Sequence, residues 1–374
     1  MRIGFDATNI LGYGGIKTYA RELVRGLAQQ YPEDTFHLLS TFSSARRDKL
    51  LRVFQGMPNV RVTASLPHIR MLGEPMRPLT GALTSLMWMR VSRRVDLVHL
   101  TDPYGTAALP RRFVSTVHDL FPLTRNEYCG SVLERFYRKR TPLILDRSTA
   151  VITPSNYVKD QVLELYPDIP APVTVIPEAA SGEFRPGSGS EELPFSLRPG
   201  GRFFLFVGRD DPRKNLPRIV EAYRKLPGGL RAECSLVMVT GGKPLDTAVN
   251  EDGLIFLRDR SAADLRRLYS SALAFLFPSL DEGFGLPVIE AMSSGCPVIT
   301  SNRSCLPETA AGAAVLVDPE DTAGISNAMR NLASSPRLKD EYIARGLERA
   351  AEFSWERTAM ETMKVYRSAA DATG

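Results

Sequence analysis

Short apolar runs recur along the whole chain, each a few residues long and most of them ended by Gly, Pro, Asp or Ser. The first series reads "RIGFDA", "TFHLLST", "VRVTASL", "LVHLT", "FVSTVHD", "AVITPS" and "VTVIPE". A second reads "RFFLFVGR", "CSLVMVTG", "LIFLRD", "ALAFLFPS", "PVITS" and "AAVLVD". Runs this apolar and this short predict strands buried on both faces. Between many of them the period changes, and "IKTYARELVRGLAQQ" and "NLPRIVEAYRKL" place apolar residues at helical spacing. Strands alternating with helices predict parallel sheets covered by helices on both faces. The Gly-, Pro- and Ser-rich stretch "SGEFRPGSGSEELPFSLRPGGR" (181–202) parts the two series and reads as a linker. At 374 residues the chain is comfortable for two such domains.

The stretch "SLDEGFGLPVIEAMSSGCPVI" (279–299) carries the most chemistry. It follows the apolar run "ALAFLFPS" and runs into "PVITS", so it predicts strand, glycine-rich turn, helix, strand. Pro287 suits a first helical turn, where its missing N–H costs nothing, and Gly295 suits the helix stop. The amides of Phe284, Gly285 and Leu286 then stand free at the helix N-terminus, an environment that favours an anion. Glu282 lies on the turn and Glu290 about one helical turn inside. Carboxylates accept hydrogen bonds in pairs, and vicinal hydroxyls donate them in pairs. An anion with two sets of diols describes a nucleotide sugar. The plainer alternative is that Glu282 caps the helix and Glu290 faces solvent.

Three further constellations follow strands. "GYGGIKTY" (12–19) opens the first helix but lacks the third glycine of a dinucleotide fingerprint, which would fall at Lys17. "VGRDDPRKN" (207–215) puts Arg209, Arg213 and Lys214 at a strand's carboxyl end, where open α/β sheets bind ligands. "STVHDLF" (115–121) puts His118 at another strand end, with Asp119 placed to orient it, and His99 in "LVHLTD" is in a comparable position.

Composition narrows the picture. An apolar content of 43% and a charged content of 24% are those of an ordinary globular protein. No apolar run approaches the length of a membrane span, and the amino terminus enters a strand without a signal-peptide pattern. The four cysteines lack C-x-x-C spacing and read as reduced thiols of a cytoplasmic protein. No His/Cys/Asp grouping has metal-ligand spacing, so no metal and no resident cofactor is expected. The net charge of +5 points to an acidic partner. No aromatic–basic nucleic-acid motif is visible, which leaves a phosphorylated substrate or an anionic membrane surface. "FSSARRDKLLRVF" (42–54) and "ERFYRKR" (134–140) are the basic–apolar stretches suited to the second.

Glu282 to Glu290 matches the E-x7-E motif, and the surrounding stretch resembles that of the large family of retaining GT-B glycosyltransferases, family 4, which includes many bacterial mannosyltransferases. The likeness extends through "GGIKTYARELV", "VHDLFPL", "VITPSNYVKDQV", "VTVIPE", "DPRKNLPRIVEAY" and "FSWERTA". The resemblance implies an α/β GT-B fold of two Rossmann-like domains facing across a cleft. An acceptor domain would span 1–185 and a donor domain 186–355, with a last helix (356–374) crossing back to the first. It also implies roles. Lys214 and Arg209 would face the donor diphosphate with Arg213 beside them, although the Arg209-to-Lys214 spacing is a residue shorter than in some members. Gly14 and Gly15 would approach the donor phosphate and acceptor, and His118 the transferred sugar. Glu290 would hold the ribose diol and Glu282 the sugar hydroxyls, with the amides of Phe284, Gly285 and Leu286 on the departing charge. The expected reaction is metal-independent transfer of a hexose, with retention, from a nucleotide-diphosphate sugar to a glycan or lipid-linked acceptor. GDP-mannose leads as donor, and peripheral contact with the inner face of a membrane is expected. A sugar epimerase or phosphorylase on the same fold stays open as an alternative, and an NAD-type oxidoreductase stands behind both.

Overall fold

The computed structural model describes the chain except for residues 8–9, 12–13, 41–43, 65–89, 91, 105–108, 188–200, 242–251, 259 and 372–374. Two compact units result: Met1–Glu178 with Trp355–Gly374, and Ala179–Ser354. The sequence-based division stood at 185/186. The chain joins the second unit earlier because Phe184 is already buried there, with its ring 5.9 Å from that of Tyr269. Most of the stretch read as a linker, residues 188–200, lies outside the described residues.

The first unit is built on a seven-stranded sheet. Its strands are β1 (Arg2–Asp6), β2 (Thr35–Ser40), β3 (Val60–Ala64), β4 (Leu97–Leu100), β5 (Phe113–Thr116), β6 (Ala150–Thr153) and β7 (Val173–Val175). They lie in the order β3-β2-β1-β4-β5-β6-β7, and every pairing is parallel. Helices α1 (Gly15–Gln30), α2 (Ser44–Val53), α3 (Phe121–Thr124), α4 (Ser131–Arg147) and α5 (Asn156–Leu165) fill the connections. The strand order reverses between β1 and β4, which is where a doubly wound sheet opens a crevice at its carboxyl ends.

The second unit has six parallel strands: β8 (Arg202–Arg209), β9 (Cys234–Gly241), β10 (Leu254–Leu257), β11 (Ala274–Phe277), β12 (Val298–Ser301) and β13 (Val315–Val317). Their order is β10-β9-β8-β11-β12-β13, so the reversal falls between β8 and β11. The helices are α6 (Leu216–Arg224), α7 (Gly228–Glu233), α8 (Ala262–Ser271), α9 (Leu286–Ser293), α10 (Leu306–Ala310), α11 (Thr322–Ser334) and α12 (Pro336–Ala351). Phe204, Phe206, Leu236, Met238, Leu276 and Ile299 on the strands pack against Ile219, Tyr223 and Met329 on the helices. Buried strand faces of this kind supply most of the driving force for folding. Ser155, Ser261, Asp321 and Ser335 cap α5, α8, α11 and α12 by accepting backbone N–H groups. The N-cap residue of α9 is Gly285, which has no side chain to cap it.

The last helix, α13 (Trp355–Asp371), belongs to the first unit and packs on α1. Contact is close because Gly26 faces it. A Cβ at Gly26 would stand 3.1 Å from the Trp355 carbonyl oxygen and 3.2 Å from the Ala359 Cβ. The Thr358 hydroxyl donates to the Pro177 carbonyl at 2.7 Å and the Gln30 amide to the Glu356 carbonyl at 2.9 Å, fixing the helix at two further points. Gly26→Val should wedge α1 from α13 and cost about 1–3 kcal/mol of stability, the usual range for overpacking. Denaturant titration measures this, and an unchanged midpoint would show that the two helices are free to separate.

Candidate functional site

The turns that follow β8 and β11 stand side by side because those strands are neighbours at the reversal of the sheet. After β8 the chain makes a 3-10 turn, Pro212–Lys214, whose start is capped by the Asp211 carboxylate accepting the Arg213 N–H at 3.0 Å. The same carboxylate pairs with the Arg213 guanidinium at 2.9 Å. Burial pushes the Asp211 carboxyl up, but the hydrogen bonds and charge of Arg213 outweigh it and hold the group below the usual range. Arg213 therefore braces the turn, whereas Arg209 is exposed at the end of β8.

Lys214 points the other way. Its Nζ lies 2.5 Å from Glu282 Oε1 and 4.9 Å from the centre of the Phe277 ring. Both side chains of the pair are largely buried, 15% and 10% exposed, so each supplies the other's counter-charge. The structure thus joins two residues that the sequence assigned to different parts of a ligand. Beyond Glu282, Gly285 takes a left-handed conformation (φ +86°) as α9 begins, and a Cβ there would meet Leu306 Cδ2 at 2.7 Å. Only glycine fits both demands. Phe284 is held from behind, its carbonyl accepting the Thr309 hydroxyl at 2.5 Å and its ring edge-on to Phe353 at 5.7 Å. Leu286 and Pro287 form the first turn of α9, whose N-cap residue, Gly285, has no side chain with which to cap it. Glu290 sits one turn further on, and the Tyr269 hydroxyl reaches its Oε2 at 3.5 Å. Burial, then the Glu290 charge, keeps the Tyr269 phenol protonated well above its usual range. The second unit therefore places a buried cation–carboxylate pair and the glycine-led start of α9 at its carboxyl-end reversal, with Glu290 one turn further along the helix.

In the first unit, Gly14 (φ 79°, ψ −169°) leads into α1 and Gly15 is its first residue, while Tyr13 lies outside the described residues. His118 follows β5. Its Nδ1 lies 3.0 Å from Glu178 Oε1 and its Nε2 2.8 Å from the Thr101 carbonyl oxygen. The Thr101 carbonyl only accepts, so Nε2 carries a proton, and the Glu178 carboxylate beside Nδ1 favours a second one there. Its orienting carboxylate is Glu178, sixty positions away, in place of the adjacent Asp119 expected from sequence. Tyr19 packs edge-on against the ring at 4.8 Å. His99 is fully buried in a structural network, with Nδ1 2.6 Å from the Tyr366 hydroxyl on α13 and Nε2 2.8 Å from the Thr116 hydroxyl. Thr116 also bonds the Tyr19 hydroxyl at 2.8 Å.

The two basic stretches differ. Leu50 on α2 and Phe54 just after it turn into the core and leave Arg47, Lys49 and Arg52 outside with Leu51. On α4, Val132 is 74% exposed and Leu133, Phe136 and Leu143 are 40–48% exposed, among Arg135, Arg138 and Lys139. Among the described residues, no helix is long and apolar enough to cross a membrane, and no three His, Cys, Asp or Glu side chains gather where they could hold a metal ion.

Residues 13–180 match the description Glycosyltransferase Family 4, and residues 190–349 match Glycosyl transferases group 1. The chain is 32% identical over 269 residues to the O-antigen chain mannosyltransferase B of Escherichia coli, covering 68% of this chain and 70% of that one. Among solved structures, sucrose-phosphate synthase from Thermosynechococcus elongatus superposes over 100% of both chains with a TM-score of 0.76 at 20% identity. Anabaena HepE in complex with UDP and glucose covers 98% of this chain and 100% of its own, with a TM-score of 0.71 at 14% identity. At these identities the structural likeness concerns the fold.

His99 and His118 give stability a pH dependence of opposite sign. Burial lowers the His99 pKa from 6.5 to about 3, so folding weakens as pH falls below 6.5, where the unfolded chain takes up a proton that the folded one refuses. For His118 burial also lowers, but the Glu178 hydrogen bond and charge prevail and the pKa is raised above 6.5. Its contribution is fully present below 6.5 and is lost as pH rises through the raised value. His118→Gln should therefore flatten the decline in denaturant midpoint above pH 6.5 relative to the parent and leave the acid limb in place. A parent-like alkaline decline in the variant would show that His118 is not a buried cation.

Proposed function

The chain belongs to the family 4 glycosyltransferases of GT-B fold, and from that membership we propose that it transfers mannose from GDP-mannose to a hydroxyl of a glycan or lipid-linked acceptor, with retention and without a metal. The observation that carries the reading is the buried Lys214–Glu282 pair beside the glycine-led start of α9. The pair supplies a positive group already desolvated and oriented, and the helix start supplies N–H groups for the same anion. In the reaction the bond from the sugar's anomeric carbon to the β-phosphate oxygen breaks, and a bond from that carbon to the acceptor oxygen forms on the same face. The acceptor's proton passes to the departing diphosphate. Lys214 and the amides of 284–286 offset the charge that grows on that group, and Glu290 takes the ribose diol. Glu282 pairs with Lys214 before the donor binds and takes the sugar hydroxyls after, so it is not assigned as a nucleophile, which favours transfer on one face. The choice of mannose rests on the E. coli mannosyltransferase at 32% identity.

Contact with an anionic membrane belongs to the same reading. Val132, Phe136, Lys139 and Leu143 fall on one stripe of α4, and the helix carries five cations against two carboxylates. Apolar side chains exposed among cations suit an anionic bilayer surface, where a lipid-linked acceptor would reside.

Release of GDP from GDP-mannose that depends on acceptor, and is absent with other nucleotide sugars, tests the transfer; GDP release or sugar isomerisation without acceptor would overturn it. Glu290→Gln should weaken binding of free GDP by about ten- to hundredfold, the worth of a charged hydrogen bond. Glu282→Gln leaves Lys214 without its counter-charge, so GDP binding should hold or tighten while turnover falls. Calorimetry and initial rates separate the two, and equal loss of GDP affinity in both variants would refute this division. Vesicle flotation tests the surface: the parent should float with anionic vesicles in preference to neutral ones, and Phe136→Ser with Leu143→Ser should abolish this. Equal recovery with both lipids would remove the membrane from the proposal.

A further inference from the structure

Asn215 closes the 3-10 turn and precedes α6 in a left-handed conformation (φ 62°, ψ 29°). Asparagine at such a position ordinarily caps the following helix with its side chain. Here no such bond forms. The residue is 2% exposed, and its side-chain amide bonds elsewhere. Nδ2 donates to the Pro278 carbonyl at 3.0 Å and to the Pro319 carbonyl at 2.6 Å, and Oδ1 accepts from the Arg218 guanidinium at 3.0 Å. Asn215 thus ties the turn after β8 to the chain leaving β11 and the chain leaving β13.

Three consecutive residues cross between the same two loops. The Arg213 carbonyl accepts the Leu280 N–H at 2.7 Å, Lys214 pairs with Glu282, and Asn215 donates to Pro278. The first and third bonds flank the ion pair and leave little freedom in where the Lys214 stem begins. Of the two, the Asn215 bond is made by a side chain and can be removed without touching the backbone.

We infer that Asn215 is a positioning residue that sets Lys214 against Glu282 by joining the 212–215 turn to the loop after β11. The inference rests on the reading of Lys214 as the group that meets the donor diphosphate. A lysine has four rotatable bonds in its stem, and a displaced turn would let its ammonium settle elsewhere. A loss at Asn215 should accordingly appear as a loss of what Lys214 does.

A double-mutant cycle tests this, with GDP affinity measured by calorimetry and kcat and KM by GDP-mannose turnover. Glycine keeps the left-handed backbone and removes the amide, so Asn215→Gly is the main variant; Asn215→Asp keeps the shape but turns an acceptor toward two carbonyls, and serves if the first does not fold. In the parent background Asn215→Gly should weaken GDP about tenfold, the scale of one charged contact. It should lower kcat with little change in the KM for acceptor. In the Lys214→Ala background the same change should alter GDP affinity less than twofold. An equal factor in both backgrounds, or no effect in the parent background, would overturn the inference and leave Asn215 a stabilising residue only. If Lys214→Ala alone binds GDP as tightly as the parent, the reading of Lys214 fails and takes this inference with it.

Discussion

A lysine and a glutamate buried together must neutralise each other, and the turns after β8 and β11 are placed so that they can. Removing either partner would leave a charge with little water around it, which is commonly worth several kcal/mol. The pair is possible only because β8 and β11 are neighbours, so that their outgoing turns meet. It is kept in place by bonds that do not involve charge: Leu280 to Arg213, and Asn215 to Pro278 and Pro319. Asp211 meanwhile occupies Arg213, so the turn presents one buried cation to the loop opposite rather than two. The compact geometry is therefore a product of backbone carbonyls and amides first and of ionic attraction second.

The first unit solves a related problem in another way. His99, Thr116, Tyr19 and Tyr366 place four polar groups in the core, and each finds a partner among the others. Satisfied buried networks define one arrangement, because any slip would leave a donor or acceptor unmatched. Tyr366 brings α13 into this network, and Gly26 lets the same helix approach α1 closely. Through Tyr19 the network also abuts His118, whose ring is fixed by an acceptor on each nitrogen. Held in this way, His118 has no free nitrogen with which to take a proton from a substrate.

Strands, their parallel arrangement and the strand–turn–helix around Gly285 were legible in the sequence because each depends on local pattern: apolar runs, period changes, glycine and proline placement. Glu282 and Lys214 were legible as residue types in such turns. Their mutual pairing was not, since it depends on which strands are neighbours, and strand order is not written in periodicity. Glu178 was missed for the same reason: it closes the run "VTVIPE", sixty residues from the histidine it holds, and nothing in that run marks a partner. Adjacency in sequence points to Asp119, and nothing in the local pattern points beyond it. Asn215 stood in plain view in "DPRKN", where its type suggests a helix cap; only the positions of Pro278 and Pro319 show that its amide is spent elsewhere. On α2 the charges were legible, but the inward turn of Leu50 and Phe54 required the helix to be seated on its sheet.

Within the proposed reaction, the Lys214–Glu282 pair explains how one carboxylate can serve two states. Before the donor arrives, Glu282 holds the Lys214 ammonium in place and supplies its counter-charge. A diphosphate entering beside the helix start brings more negative charge than Glu282 holds, and competes with it for the ammonium. Any loosening of the pair frees the Glu282 oxygens to accept hydroxyls from a sugar attached to that same diphosphate. Lys214 then needs no reorganisation to meet the growing charge of the leaving group, which is the condition under which electrostatics contributes most to rate. A free nucleoside diphosphate would compete for the lysine without offering the hydroxyls. The intact donor would therefore regain more than the free nucleotide from the same exchange, and part of the discrimination between them would lie in a carboxylate that the apo protein already uses.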